Sequence, residues 1–187
     1  MEYDFDKLNN DIKIRNQYKY DKENILLSEL TYATGLKGNK VKRLAHSVCK
    51  EITFGLEATA KGLIQTDLKT YFKDCVDKGY VRREDGWLNE SYSVVDNVFL
   101  HTFSDKFGIT AEAFGSYDEF IIYTALRKEF ICTLRIVSNS GGKHSLICYK
   151  FNGKLLISDT SGRGIAQPFE KYINKNNFLY AIEMQVG

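Results

Sequence analysis

The chain is expected to be an α+β protein, with helices gathered in its first part and an antiparallel sheet in its second. Three observations predict this. Apolar residues recur every three to four positions from Val41 to Val76, the spacing of buried helix faces. Runs rich in β-branched and aromatic residues follow at Phe130–Val137, His144–Phe151 and Lys154–Ser158. Between the last two stands Asn152-Gly153, the strongest two-residue hairpin signal. Helices first and strands later is an α+β order, whereas parallel sheets come from alternation.

With 187 residues the chain suits one domain, or one domain with an appendage. The division expected is an N-terminal arm or helix over 1–40 and the main domain over 41–187. Hydrophobic residues make up 43% of the chain and aromatics 13%, with twelve Tyr and twelve Phe. That content rules out a largely disordered chain. A formal net charge of +2 gives no electrostatic case for binding nucleic acid or a membrane surface. No basic stretch followed by an apolar run opens the chain, so no signal peptide is expected. No apolar run approaches the ~20 residues of a bilayer span. The four cysteines, Cys49, Cys75, Cys132 and Cys148, form no CxxC pair and no metal-ligand spacing. Neither a metal nor a cofactor is expected. Free thiols suit a reducing cytoplasm, and Cys132 and Cys148, in strand-like runs, read as buried small hydrophobes. The expected partner is a protein or peptide, with homo- and hetero-oligomers both open.

Taken in order, residues 1–24 are polar and charged with scattered Tyr and Phe, an arm or a docked helix. Ile25–Leu30 is helical, and Gly35 and Gly38 break it. Lys37, Lys40, Lys42 and Arg43 form a solvated basic face. The spacing of Val41, Leu44, Ala45, Val48, Ile52, Leu56 and Ala60 predicts one helix over 41–60. Thr66 is the expected cap of the next, Asp67–Lys78, which buries Leu68, Tyr71, Phe72, Cys75 and Val76. Arg82–Tyr92 is a polar turn around Asp85-Gly86 and Trp87, and Val94–Phe107 is a further helix. Ile109–Phe114 alternates as a short strand, Tyr117–Lys128 is helical, and Phe130–Val137 is a strand. The Gly-x-Gly at Gly162–Gly164 opens no strong helix and is not a phosphate cradle.

The hairpin matters for chemistry. A two-residue turn places His144, near the start of one strand, beside Asp159, at the end of its antiparallel partner. A carboxylate there can hold an imidazole by its second nitrogen. The order Gly142, His144, apolar strand, turn, apolar strand, Asp159, Ser161, Gly162, then Phe169–Ile173 and Phe178–Met184, resembles the papain-like cysteine peptidases. It is most similar to the bacterial branch that includes the bacteriocin-processing leader peptidases. The resemblance spans about residues 45–186 and implies N-terminal helices packed on a curled antiparallel sheet, with Cys49, His144 and Asp159 as nucleophile, base and orienting carboxylate.

Around Cys49 the chain departs from that family. No glycine follows Cys49, and the helical pattern begins before it, which places the thiol inside a helix where the dipole helps little. No glutamine stands just upstream. Arg43, Leu44, Ala45 and His46 occupy that region, and Gln17 lies too far back in the chain to serve. Ser47 is a conceivable substitute nucleophile without a motif, and His46 and His101 have no companion ligands at metal spacing. The reading that follows is a papain-like domain degenerate at its nucleophile, acting as a non-enzymatic binding or structural component of a larger assembly such as a virion or a secretion machine. The alternative is an active cysteine peptidase using Cys49, His144 and Asp159.

Overall fold

The computed structural model describes residues 3–78 and 109–186; the turn and helix expected within 82–107, with Trp87 and His101, lie outside them. The described elements run α1 (Phe5–Lys13), α2 (Leu26–Thr34), α3 (Asn39–Ala45), α4 (Cys49–Ala60), α5 (Leu68–Asp77), β1 (Ile109–Phe114), α6 (Tyr117–Leu126), β2 (Phe130–Val137), β3 (Lys143–Phe151), β4 (Lys154–Ser158), β5 (Gln167–Pro168), α7 (Phe169–Tyr172) and β6 (Phe178–Val186). The strands form a sheet in the order β1-β6-β2-β3-β4-β5, with each described pair antiparallel. The fold is α+β, helices packed on an antiparallel sheet, as the order of segments predicts.

Strand alternation sorts side chains to two cores. Ile131 of β2 and Ile147 and Tyr149 of β3 face α1, α2, α4 and α5. Phe130, Cys132, Leu134, Leu146 and Cys148 face the opposite side, against Phe120 of α6 and Phe169 of α7. This is the period-two pattern of a sheet covered on both faces. Cys132 and Cys148 are cross-strand partners and free, buried thiols. The β3–β4 turn has Asn152 at φ 50° and Gly153 at φ 73°, the left-handed pair that a two-residue hairpin requires.

The first forty residues share the main core. Asp4 caps α1 by accepting the Lys7 N–H at 2.9 Å, and Phe5, Leu8 and Ile12 are buried on its inner face. Arg15 grips Glu29 of α2 through two hydrogen bonds of 2.8 and 3.1 Å, the fork geometry suited to a buried carboxylate. Gly35 ends α2 in the left-handed conformation at φ 76°.

Two local expectations are corrected. The single helix over 41–60 is two helices, α3 and α4, with His46, Ser47 and Val48 between them. The His46 and Ser47 N–H groups fold back onto the carbonyls of Lys42 and Leu44, closing α3 before α4 begins. The cap of α5 is Asp67, whose carboxylate accepts the Thr70 N–H at 3.0 Å. Thr66, one residue earlier, buries its hydroxyl oxygen without a hydrogen bond.

A polar clamp holds α4 to the sheet. The fully buried Glu57 accepts from Thr133 Oγ1 of β2 at 3.0 Å, and from Lys61 Nζ at 2.8 Å and the Met184 N–H of β6 at 2.7 Å. Lys61 Nζ also donates to the Met184 carbonyl at 2.9 Å. A charge this deep is tolerated because it is paired and hydrogen-bonded on both oxygens. Among the described residues no helix is long and apolar enough to cross a membrane.

Gly55 of α4 packs against Tyr71 of α5: a Cβ there would lie 2.6 Å from Tyr71 Cε1. In an open helix Gly→Ala stabilises by about 0.5–1 kcal/mol; here the overlap must force Tyr71 aside. Gly55→Ala is therefore expected to destabilise by about 1–3 kcal/mol, measured by urea unfolding. An increase in stability would show that the two helices separate freely.

Candidate active site

The break between α3 and α4 decides the chemistry of Cys49. Val48 is the N-terminal boundary residue and Cys49 the first residue of the twelve-residue α4. The expectation of a thiol inside a helix is thus corrected. The apolar spacing runs unbroken through the junction because Val48 is itself fully buried, which hid the break. At the first position the thiol feels the positive end of the helix, and its own N–H has no carbonyl one turn back to donate to.

The sheet brings the other groups to this point. His144 opens β3 and Asp159 follows β4, and the hairpin register sets them side by side. His144 Nε2 lies 2.6 Å from Asp159 Oδ1, and the imidazole and the Cys49 thiol line one cleft, where each shifts the charge state of the other. The Asp159 side chain has no exposed surface. It accepts from the Ser161 N–H at 3.1 Å, Ser161 Oγ at 2.9 Å and Arg163 Nη1 at 3.1 Å, so the glycine-rich exit loop folds around the carboxylate. All three sequence candidates converge. Ser47 lines the same cleft, but its hydroxyl is turned back to the Arg43 carbonyl at 3.3 Å. His46 is exposed and stacks on Tyr18, with ring centroids 4.5 Å apart.

Two residues had no role in the sequence reading. Arg135 of β2 is the cross-strand partner of Ser145. Its Nη1 lies 2.9 Å from Ser145 Oγ and 3.6 Å from Cys49 Sγ. A single Arg in a strand run gives no signal by itself; its pairing opposite the residue after His144 is what aims it at the thiol. The second is Gln17, set aside for its distance along the chain. Folding brings it against the site, buried, but its Nε2 donates to the Ala45 carbonyl at 2.7 Å and its Oε1 accepts from Thr160 Oγ1 at 2.6 Å. Its N–H also donates to the Thr160 carbonyl at 2.7 Å. Gln17 therefore ties the end of α3 to the residue after Asp159.

These contacts set the charge states. Burial pushes the Cys49 thiol up, but the His144 hydrogen bond and charge, the Arg135 guanidinium and the Ser145 backbone N–H outweigh it and bring the pKa to about 6. Burial pushes His144 down, yet its hydrogen bonds to Asp159 and Cys49 and the negative charge of both raise it to about 10. Burial also works against the Asp159 carboxylate, which His144, Ser161 and Arg163 together hold below its ordinary range. Between these limits the site holds a thiolate beside an imidazolium, the ion pair of an activated cysteine. It opens on a cleft of about 660 Å³. No group of three His, Cys, Asp or Glu among the described residues is arranged to hold a metal.

No protein-family model matches the chain, and no curated protein matches it. Among solved structures it is similar to the peptidase domain of Streptococcus ComA, described as a bifunctional ABC transporter involved in a quorum-sensing pathway. The TM-score is 0.50 at 14% identity, over 76% of this chain and 93% of that domain. The likeness shows the fold alone: helices on an antiparallel sheet in a papain-like arrangement. The neighbour supports the fold that the sequence resemblance implied.

The pKa near 6 predicts a specific pH profile. Alkylation of Cys49 should rise with a midpoint near pH 6, well below the ~8.5 of a free cysteine, because the thiolate persists down to that pH. In Arg135→Met one stabilising cation is gone, so the midpoint should move up and the rate at pH 6 should fall several-fold. Stopped-time alkylation with mass readout checks both; a midpoint unmoved in Arg135→Met would remove the guanidinium from the argument.

Proposed function

We propose that this chain is a cysteine peptidase, or a closely related acyl-transfer enzyme, with Cys49 as nucleophile, His144 as acid and base, and Asp159 as the orienting carboxylate. The observation that carries the reading is the thiol at the first residue of α4, in one cleft with an imidazole that a buried carboxylate holds at 2.6 Å. The thiolate attacks a carbonyl carbon, forming the C–S bond while the carbonyl π electrons move to oxygen. Collapse breaks the C–N bond, and the imidazolium gives its proton to the departing amine. Water then attacks the thioester, losing a proton to the now neutral imidazole, and the C–S bond breaks to return the thiolate and imidazolium. The Cys49 N–H at the helix start is one donor for the negative oxygen. Arg135, beside the sulfur, supplies positive charge where negative charge moves from sulfur to oxygen.

A second reading is a degenerate domain that binds extended peptides in the same cleft. The observation in its favour is that the Gln17 amide is engaged by Ala45 and Thr160, and loss of one oxyanion donor costs about 10²–10³ in rate.

Limited treatment with iodoacetamide at pH 6, followed by mass mapping, separates the two. The enzyme reading expects fast, selective modification of Cys49 over Cys75, Cys132 and Cys148, and a loss of at least tenfold in His144→Ala. A peptidyl chloromethyl ketone should modify the same thiol once per chain and protect it from iodoacetamide. Labelling no faster than that of a free thiol, and indifferent to His144, would sink the enzyme and leave the binding domain.

A further inference from the structure

The walls of the cleft carry charge of one sign. Over the whole chain Lys and Arg number 26 and Asp and Glu 24, so an average patch would hold both. Among the described residues the cleft is lined by Arg135, Lys143 and Arg163 and by no Asp or Glu. The nearby carboxylate of Asp159 is sealed from solvent and already engaged by His144, Ser161 and Arg163. Lys143 is exposed and carries no ion pair among the described residues. The facing wall is the Tyr18–His46 stack, backed by Lys42 over the Tyr20 ring at 5.8 Å, and it adds no acid either. A recess lined by one sign of charge concentrates ligands of the other.

The positions of the cations are as informative as their number. Lys143 directly precedes His144, and Arg163 lies on the loop that holds Asp159. Both line the same cleft as the imidazole, and the imidazole must face the amine it protonates. Residues on the leaving side of the scissile bond meet these two cations first.

Resting on the acyl-transfer reading above, we infer that the cleft selects acidic peptides, with an Asp or Glu carboxylate just downstream of the scissile carbonyl, received by Lys143 in a cleft whose other cations, Arg135 and Arg163, meet no exposed acid among the described residues. Upstream residues meet the aromatic wall of Tyr18 and His46.

Charge-matched alkylating agents test this without knowledge of the natural substrate. The rate of Cys49 with iodoacetate over that with iodoacetamide is measured and divided by the same ratio for free cysteine. The imidazolium contributes equally in all variants, so changes in the ratio report the walls. At low ionic strength the normalised ratio should exceed about tenfold. It should fall toward one in roughly 0.5 M salt, where screening is strong, and drop several-fold in Lys143→Glu. A ratio near one, or one that neither salt nor Lys143→Glu moves, would overturn the inference while leaving a reactive Cys49 intact. An inert Cys49 would instead defeat the acyl-transfer reading. Binding then decides: in Cys49→Ala, a fluorescein-labelled, C-terminally amidated Gly-Glu-Glu-Gly peptide should bind at least fivefold tighter than Gly-Gln-Gln-Gly by anisotropy. Equal binding of the two would overturn the acidic preference.

Discussion

The contact between the Cys49 thiol and the His144 imidazole joins the two layers of this protein, and the site depends on how firmly those layers are fixed. One partner belongs to a helix and the other to a sheet, so any slide of α4 along β2 and β3 would part them. Apolar packing alone resists separation better than it resists sliding, because burial is nearly indifferent to direction. Glu57 supplies the missing direction. Its two oxygens take hydrogen bonds from a hydroxyl on β2, a backbone N–H on β6 and the Lys61 ammonium at the end of the same helix, and the two that cross to the sheet do not survive a shift of one residue. The helix that carries Cys49 is thus keyed to the sheet in register as well as in depth.

A second fastening works from outside the pair. Gln17 belongs to neither α4 nor β3, yet it holds Ala45, just ahead of the α3–α4 break, and Thr160, just after Asp159. The aromatic residue that follows it, Tyr18, forms part of the cleft wall. The N-terminal segment is therefore a working part of the site, in contrast to a tail that merely covers the core. In return its glutamine amide is committed to structure, which leaves the electrostatics near the sulfur to Arg135.

The hairpin was legible because its determinants are local. Asn152-Gly153 admits the left-handed turn, the flanking runs have strand composition, and together they fix His144 opposite Asp159. The start of α4 was not legible. Val48 continues the helical spacing into the core while its backbone leaves the helix, so the pattern of burial and the pattern of hydrogen bonding part company at one residue. Thr66 and Asp67 are adjacent cap formers, and only the backbone angle selects Asp67. Arg135 and Gln17 were invisible for a different reason. Their roles arise from strand pairing and from long-range closure of the chain, and no window of neighbouring residues records either.

The two-residue turn at Asn152-Gly153 also constrains how this chain can vary in length. Side chains in a strand alternate between faces. A residue inserted or deleted in β3 or β4 would therefore exchange the faces of everything between it and the cleft, turning Asp159 away from His144 or the hydrophobic partners out of the core. Insertions and deletions should accumulate in connections that do not carry register to the cleft, while the β3–β4 ribbon keeps one fixed length across descendants of this sequence.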